Sequence, residues 1–575
     1  MAKCFLLAAV AMALAVPSAA AEPVPDLSGL WTAKLRYGPD IEGPLLIYRT
    51  NIGWIADIAG FQVPADVRGS TVAFSLPDDR GSFRGRIEGG TLRGDWVQDK
   101  SATGGTPYAT RIELSQDRFG RWSGAVDPMK SAATYFLPLV RSGSSYATFL
   151  DNPERNVGRF IPIRRVEVEG DAVRAFGSRD GQPEKLLASG RVDSEQGTFS
   201  LSIGGDSADF SPDRSSSSTF YARGNPPQRY HYQIPLQLGD GWPVASLASV
   251  GISTPLIERF VQKLIDTRPA PGVPQIDSLL IARHGKLVLE EYFHGYSRDT
   301  AHDVRSAGKS MTGMMIGAAM LNGVPIREDT PVYATMLGKA PPDLDPRKRA
   351  MTLRDLMTMT SGYFCDDNNS DAPGNEDNIQ AQTEYPDYYS YILKLPMASA
   401  PGDKIVYCSA NAILAGGVLR KVTGEPLTDL FDRWVARPLQ MGSYHVNLTP
   451  AGELYTAGGG HFLPRDFMKL AQVMLNGGTW RGKRIVSRDW VRKSGAPLHV
   501  LSPEQQYGYF WNTAELKWKG RTVHAVFAAG NGSQIFLEIP ELDLVVAFTG
   551  ANYGDRSALI PERVMLPEDI LPAVQ

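Results

Sequence analysis

The segment Asp303-Val-Arg-Ser306-Ala-Gly-Lys309-Ser places a lysine three positions after a serine. Met311, Met314, Met315, Ala318 and Ala319 continue at helical spacing, and Asn322-Gly323 ends the run. Ser306 is therefore expected at a helix N-terminus, with Lys309 one turn on along the same face. A serine hydroxyl attacks poorly until a base takes its proton. A lysine can assist if burial and neighbouring positive charge lower its pKa, and a helix N-terminus favours a developing oxyanion. The same spacing also suits an N-cap serine beside a solvated lysine, and so short a pattern can arise by chance. A second segment, Pro401-Gly402-Asp-Lys-Ile-Val-Tyr407-Cys408-Ser409-Ala410-Asn411, predicts a Pro-Gly turn, a short strand into Tyr407 and a helix from about 411 to 421. A tyrosine near a lysine can act as a general base through its phenolate; a packed core tyrosine is the plainer reading. The third, Ala528-Ala-Gly530-Asn531-Gly532-Ser-Gln534, lets a strand edge approach a ligand closely and donate a backbone N–H, or simply forms a bulge or tight turn.

These segments stand in order with Leu356-Met-Thr-Met-Thr-Ser-Gly362, ahead of Tyr407, and with Gly458-Gly-Gly460 plus Arg465-Asp466, ahead of Gly530. Taken together they resemble the class C β-lactamase-related serine hydrolases, a group that includes penicillin-binding peptidases, family VIII-type esterases and 6-aminohexanoate-dimer hydrolases. The resemblance covers about residues 250 to 560. It implies an α+β, β-lactamase/transpeptidase-like domain: an antiparallel sheet flanked by helices, with an all-α insert. It also implies roles. Ser306 matches the acylated serine, and Lys309 and Tyr407 match the pair that activates it and then protonates the leaving group. The oxyanion hole and substrate contacts would draw on Ser306, Ser409, Asn411, Gly530, Asn531 and Gly532. A small-molecule substrate is implied, and no metal or other cofactor.

Two departures from the family pattern shift the expected substrate. The second motif is usually Tyr-x-Asn, and here its third residue is Ser409, a donor of shorter reach. In β-lactamases the third motif carries a lysine beside the substrate carboxylate, and no lysine or histidine lies between Ala528 and Gly532. Weight therefore moves toward esters or small amides. The alternatives are a cell-wall D-amino-acid peptidase or β-lactamase-like enzyme, and a catalytically weak protein that binds a partner through its N-terminal half. Cys408 directly follows Tyr407 and Cys365 lies just past the Leu356–Gly362 segment, and the resemblance implies a disulfide between them that fixes the loop beside Tyr407. Asp366, Asp367, Asp371, Glu376 and Asp377 read as a solvated rim loop; a calcium site is conceivable, but the spacing does not fit an EF-hand. His302 and His461 could line the pocket, with surface or core roles the simpler expectation.

The elements that must position these residues follow from the hydrophobic pattern. Ser253-Thr254-Pro255 with Glu258 predicts a capped helix start, with Leu256, Phe260, Val261 and Leu264 on one face. Residues 278 to 293 predict a hairpin turning at His284-Gly285, and Gln534–Ile539 with Leu544–Thr549 predicts another turning at Pro540-Glu541. Strand pairs thus bracket a helical middle. Residues 26 to 225 alternate in short strands with Gly, Asp and Asn punctuation, which predicts one large barrel or two similar sandwiches, and 211–227 has linker composition. Expected divisions are a signal peptide over 1–21, a β-rich domain over 22–235 and a hydrolase domain over 236–575. Lys3, the apolar run Cys4 to Val16, Pro17 and Ala19-Ala20-Ala21 carry the signal reading, so export to the periplasm or medium is expected, with no membrane anchor after cleavage. Removal of Cys4 would leave an even pair of cysteines in an oxidising compartment. The formal charge of −3, from 59 basic and 62 acidic residues, gives no basic field for nucleic acid.

Overall fold

A computed structural model describes residues 26–38, 41–103, 105–154, 161–178, 182–203 and 205–575. The expected signal peptide lies outside the described residues. Among the described residues no helix is long and apolar enough to cross a membrane.

The N-terminal half is two eight-stranded antiparallel barrels, one inserted in the other. The outer barrel starts with strand Gly29–Arg36 and resumes with Ala132–Ser142, closing through Asp206–Pro212. Between these first two strands lies the inserted barrel, from Gly43–Thr50 to Trp122–Val126. Its last strand pairs with both Gly43–Thr50 and Tyr108–Gln116, which closes the ring. Alternation puts Leu45, Ile47, Phe83, Leu92 and Trp96 inside. Gly85 faces Gly94 across neighbouring strands, and a Cβ on either would lie 2.6 Å from the tip of the Phe83 ring. The glycine pair is what lets that ring fill the barrel. The outer barrel packs Trp31, Phe199 and Phe210 in the same way, with Phe199 and Phe210 stacked at 5.1 Å.

The C-terminal half is an antiparallel sheet of eight strands. The two expected hairpins sit side by side within it, Ile276–Arg283 pairing with Leu544–Gly550. Both faces are covered, so Ile276–Arg283 is buried along its whole length. One face takes helix Thr254–Asp266 through Ile257, Phe260, Val261 and Leu264, together with Met565, Leu566 and Ile570 from the C-terminus. Ile257 takes the inward place expected of Leu256. The expected cap is absent: the Ser253 hydroxyl makes no cap hydrogen bond, and Glu258, five residues on, accepts the Tyr232 backbone N–H at 2.9 Å. The other face takes helices Gly308–Leu321, Ser409–Thr423 and Pro464–Leu475, which carry the α-rich middle. This is the α+β, β-lactamase/transpeptidase-like arrangement, preceded by β-barrels. The outer barrel ends at Pro212, and Ala222, Tyr230 and Trp242 already pack into the hydrolase cores.

The halves share a sheet. Strand Tyr108–Gln116 of the inserted barrel meets Trp122–Val126 only at Ser115 and Gln116, and over Tyr108 to Thr110 the same edge pairs with Tyr444–Asn447, which pairs with His461–Phe462, which pairs with His302–Asp303. Arg111 locks the junction. It is nearly buried and reaches Asp95 at 2.9 Å, Asp429 at 2.9 Å and Asp432 at 3.1 Å. Burial opposes its charge, but the carboxylates outweigh burial and hold its pKa above the ordinary value. Burial also pushes the neighbouring His445 down to about 4, so it is neutral where it meets the Thr110 hydroxyl at 2.8 Å. Replacing Arg111 with leucine should leave Asp95 and Asp429 without their cation, and Asp432 with Arg437 alone at 2.9 Å. We expect a loss of about 3–5 kcal/mol in stability, read from urea unfolding; an unchanged midpoint would show that the junction does not depend on this charge.

Candidate active site

Ser306 lies on a tight 3-10 turn, Arg305–Ala307, that feeds helix Gly308–Leu321. Arg305, just before it, has φ of 48°, a left-handed conformation that costs energy in a residue with a Cβ. The turn is held by its surroundings. The Val304 N–H donates to the Gly460 carbonyl at 2.9 Å, and the Arg305 N–H donates to Asp303 Oδ1 at 2.8 Å. A Cβ on Gly458 would collide with the Arg305 carbonyl and lie 3.1 Å from the Ser306 nitrogen. Glycine at 458 is thus a condition for the turn.

Lys309 points inward from the next turn and is 1% exposed. Its Nζ donates to Ser306 Oγ at 3.0 Å and to the Ala457 carbonyl at 2.9 Å, and stands 5.0 Å from the centre of the Tyr407 ring. The spacing expected of Ser306, Lys309 and Tyr407 therefore brings the three together. The charges that act on it are negative rather than the positive ones that would lower its pKa. Burial pulls the Lys309 ammonium down, yet Tyr407, Glu376 and Asp367 surround it with negative potential and hold its pKa above the ordinary value. Lys309 is a charged group beside Tyr407, not a neutral amine.

The segment before Tyr407 is not the expected strand. Residues 401–408 bridge two loops, with the Val406 N–H donating to Met359 and the Tyr407 carbonyl accepting from Asp367. The following helix begins at Ser409, two residues early. Cys365 and Cys408 are joined in a disulfide, so the loop at 365–376 is tied to the residue after Tyr407.

That loop is not simply solvated. Asp371 and Asp377 are exposed, but Asp367 and Glu376 turn inward. Asp367 Oδ2 accepts from the Ser409 N–H at 2.8 Å and its hydroxyl at 2.7 Å. Glu376 is bonded by the Tyr455 hydroxyl. Ser409, expected to meet substrate, is fully buried and committed to Asp367. Asn411 is also fully buried, its amide donating to the Met359 sulfur at 3.4 Å. Sequence reasoning placed Asp367 in the solvated rim and missed this inward role, for which the local signal is its position two residues after a disulfide cysteine.

At the third segment, Gly530 ends strand Arg521–Gly530 against the Ser306 turn, where a Cβ would meet the Val304 carbonyl. Asn531 Oδ1 accepts the Gly554 N–H at 2.9 Å. Gly532, at φ 96°, leaves room for the Tyr553 ring. His302 and His461 take core roles: His302 bonds Asp277 at 3.0 Å, and His461 packs edge-on with Tyr108. Among the described residues no group of three His, Cys, Asp or Glu side chains could hold a metal ion. A cleft of about 570 Å³ lies on the linker side, lined by Arg223, Tyr230, Glu290 and Arg298. Its carboxylates are consumed by ion pairs, Glu291 with Arg223 and Glu290 with Arg298 and Arg465, and it holds none of the groups above.

The sequence model of the beta-lactamase family matches residues 257–560, and the chain belongs to that family of serine hydrolases. Among characterised relatives, the 6-aminohexanoate-dimer hydrolase of Paenarthrobacter ureafaciens is 23% identical over 284 residues, which is 47% of this chain and 71% of that protein. Similar solved structures include the penicillin-binding protein from Bacillus halodurans, at 16% identity and TM-score 0.39 over 54% of this chain and 97% of that one. A mutant of simvastatin synthase from Aspergillus terreus aligns at 16% identity and TM-score 0.42, over 55% of this chain and 96% of that one.

Burial raises the Asp367 carboxyl to about 6, with Lys309 only partly opposing it. The folded state thus takes up a proton at Asp367 more readily than the unfolded chain does. This group favours folding below its ordinary pKa, near 4, and that contribution is lost as pH rises through about 6. Asp367→Asn cannot ionise, so its stability relative to wild type should rise by on the order of 2 kcal/mol between pH 4 and 7. Thermal unfolding of both proteins across that range checks this; a constant difference would contradict it.

Proposed function

We propose that this protein is an exported esterase- or amidase-type hydrolase that works through an acyl-Ser306 intermediate. The observation that carries the reading is the buried Lys309 ammonium, 3.0 Å from Ser306 Oγ and facing the Tyr407 ring. Tyr407, acting as its phenolate, takes the Ser306 proton and becomes the phenol, and Oγ attacks the substrate carbonyl. Lys309, charged, aligns Oγ and steadies the negative charge that passes through this cluster. The oxyanion is met by the Ser306 N–H and a backbone N–H near Asn531. Tyr407 returns the proton to the leaving alcohol or amine, then activates the water that releases the acid.

The preference for an ester or small amide rests on the missing cation between Ala528 and Gly532, and the name of the Paenarthrobacter relative is consistent with amide chemistry. Export is supported by the leader-like first 21 residues and by the Cys365–Cys408 bond.

The mature protein should hydrolyse a short-chain p-nitrophenyl ester, and Ser306→Ala should lower kcat by at least about a thousandfold. Equal rates in the two proteins would remove Ser306 from the reaction. Rapid turnover of a chromogenic cephalosporin, or of a D-amino-acid peptide, would overturn the substrate preference while leaving the nucleophile in place. Alkylation of the denatured, unreduced exported protein should modify neither Cys365 nor Cys408; two labelled thiols would contradict the bridge.

A further inference from the structure

We propose that the inserted barrel is a working part of the Ser306 site and that Tyr108 is the positioning residue through which it acts; the inference rests on the acyl-Ser306 reading above. Residues 457 to 460 touch both halves of the nucleophile machinery. The Ala457 carbonyl accepts from Lys309 Nζ, Gly458 abuts the Ser306 nitrogen, and the Gly460 carbonyl accepts from Val304. A shift of this segment would move Lys309 and Ser306 relative to one another.

The barrel backs this segment through the strand that lies beside it. Strand Tyr444–Asn447 runs beside His461–Phe462 and pairs on its other edge with the barrel, Asn447 opposite Tyr108 and His445 opposite Thr110. The Leu448 N–H donates to the Pro107 carbonyl at 2.8 Å. A Cβ on Gly459 would meet the Asn447 side chain at 2.7 Å, so the glycine segment lies directly on this strand.

Tyr108 adds a side-chain route. Its half-buried ring meets the His461 ring edge-on, with centres 5.4 Å apart. His461 is in register with Asp303, which binds the Arg305 N–H at 2.8 Å and its guanidinium at 2.9 Å. Arg305 is the residue in the left-handed conformation beside Ser306. The ring of Tyr108 therefore bears on the strand end that enforces the nucleophile turn, and it belongs to a different domain.

The test uses the full chain and compares Tyr108→Ala, Tyr108→Leu and Tyr108→Phe. The readouts are kcat and KM on a short-chain p-nitrophenyl ester and the rate of labelling by a fluorophosphonate, with the thermal midpoint as a control for folding. Displacement of reacting groups by a fraction of an ångström to one ångström costs roughly tenfold to a hundredfold. Ala and Leu should each lower kcat and the labelling rate by about tenfold or more with KM nearly unchanged, and Phe should restore both. If Ala does not fold, Leu, which keeps most of the volume without the ring, gives the answer. Wild-type kcat and labelling in a folded Leu variant would overturn the proposal. So would a change confined to KM, or a loss in Phe as large as in Leu. Failure of wild type to hydrolyse or label, or labelling of Ser306→Ala at the same rate, would instead overturn the acyl-serine reading and this inference with it.

Discussion

A lysine ammonium with almost no contact with water is the constraint around which the hydrolase half is arranged. Burying such a charge is expensive unless acceptors and opposite charge surround it. Here they come from four separate stretches of chain: the Ser306 hydroxyl, the Ala457 carbonyl, the Tyr407 phenol, and the carboxylates Asp367 and Glu376. Each must be delivered to one point from a different element. The helix Gly308–Leu321 brings the lysine, the glycine segment the carbonyl, and the disulfide-tied loop the acids.

The same need explains features that look unrelated. Glycine at 458 is required because backbone must pass against the Ser306 turn. The Cys365–Cys408 bond joins the stretch that carries Asp367 to the stretch that carries Tyr407, so the acid and the phenol cannot drift apart. Asp367 itself is costly to ionise when buried, and the Ser409 N–H and hydroxyl offset part of that cost. A serine at this position serves the acid rather than an incoming substrate.

The two barrels join this arrangement through backbone pairing, not through a flexible tether. A shared sheet with a buried arginine among three aspartates at its seam makes the inserted barrel and the hydrolase half one packed body. The inserted barrel and the hydrolase half therefore share one continuous sheet.

Local pattern was enough to reveal the helix after Ser306, the side on which Lys309 falls, both hairpins of the sheet and the all-β character of the first half. These depend on periodicities of a few residues, and a sequence displays them directly. The same reading placed a strand before Tyr407, took the acidic loop as solvated and left the first half as either one barrel or two sandwiches. Each of these turned on which distant segment lies alongside. The Val406 N–H finds Met359, Asp367 finds Ser409, and Trp122–Val126 finds strands both near and far in sequence. The amino-acid sequence by itself determined which residues could do the chemistry and the elements that carry them. Only the tertiary structure decided the charge state of Lys309, the partner of Ser409 and the joining of barrel to active site, because burial and pairing across hundreds of residues leave no local period to read.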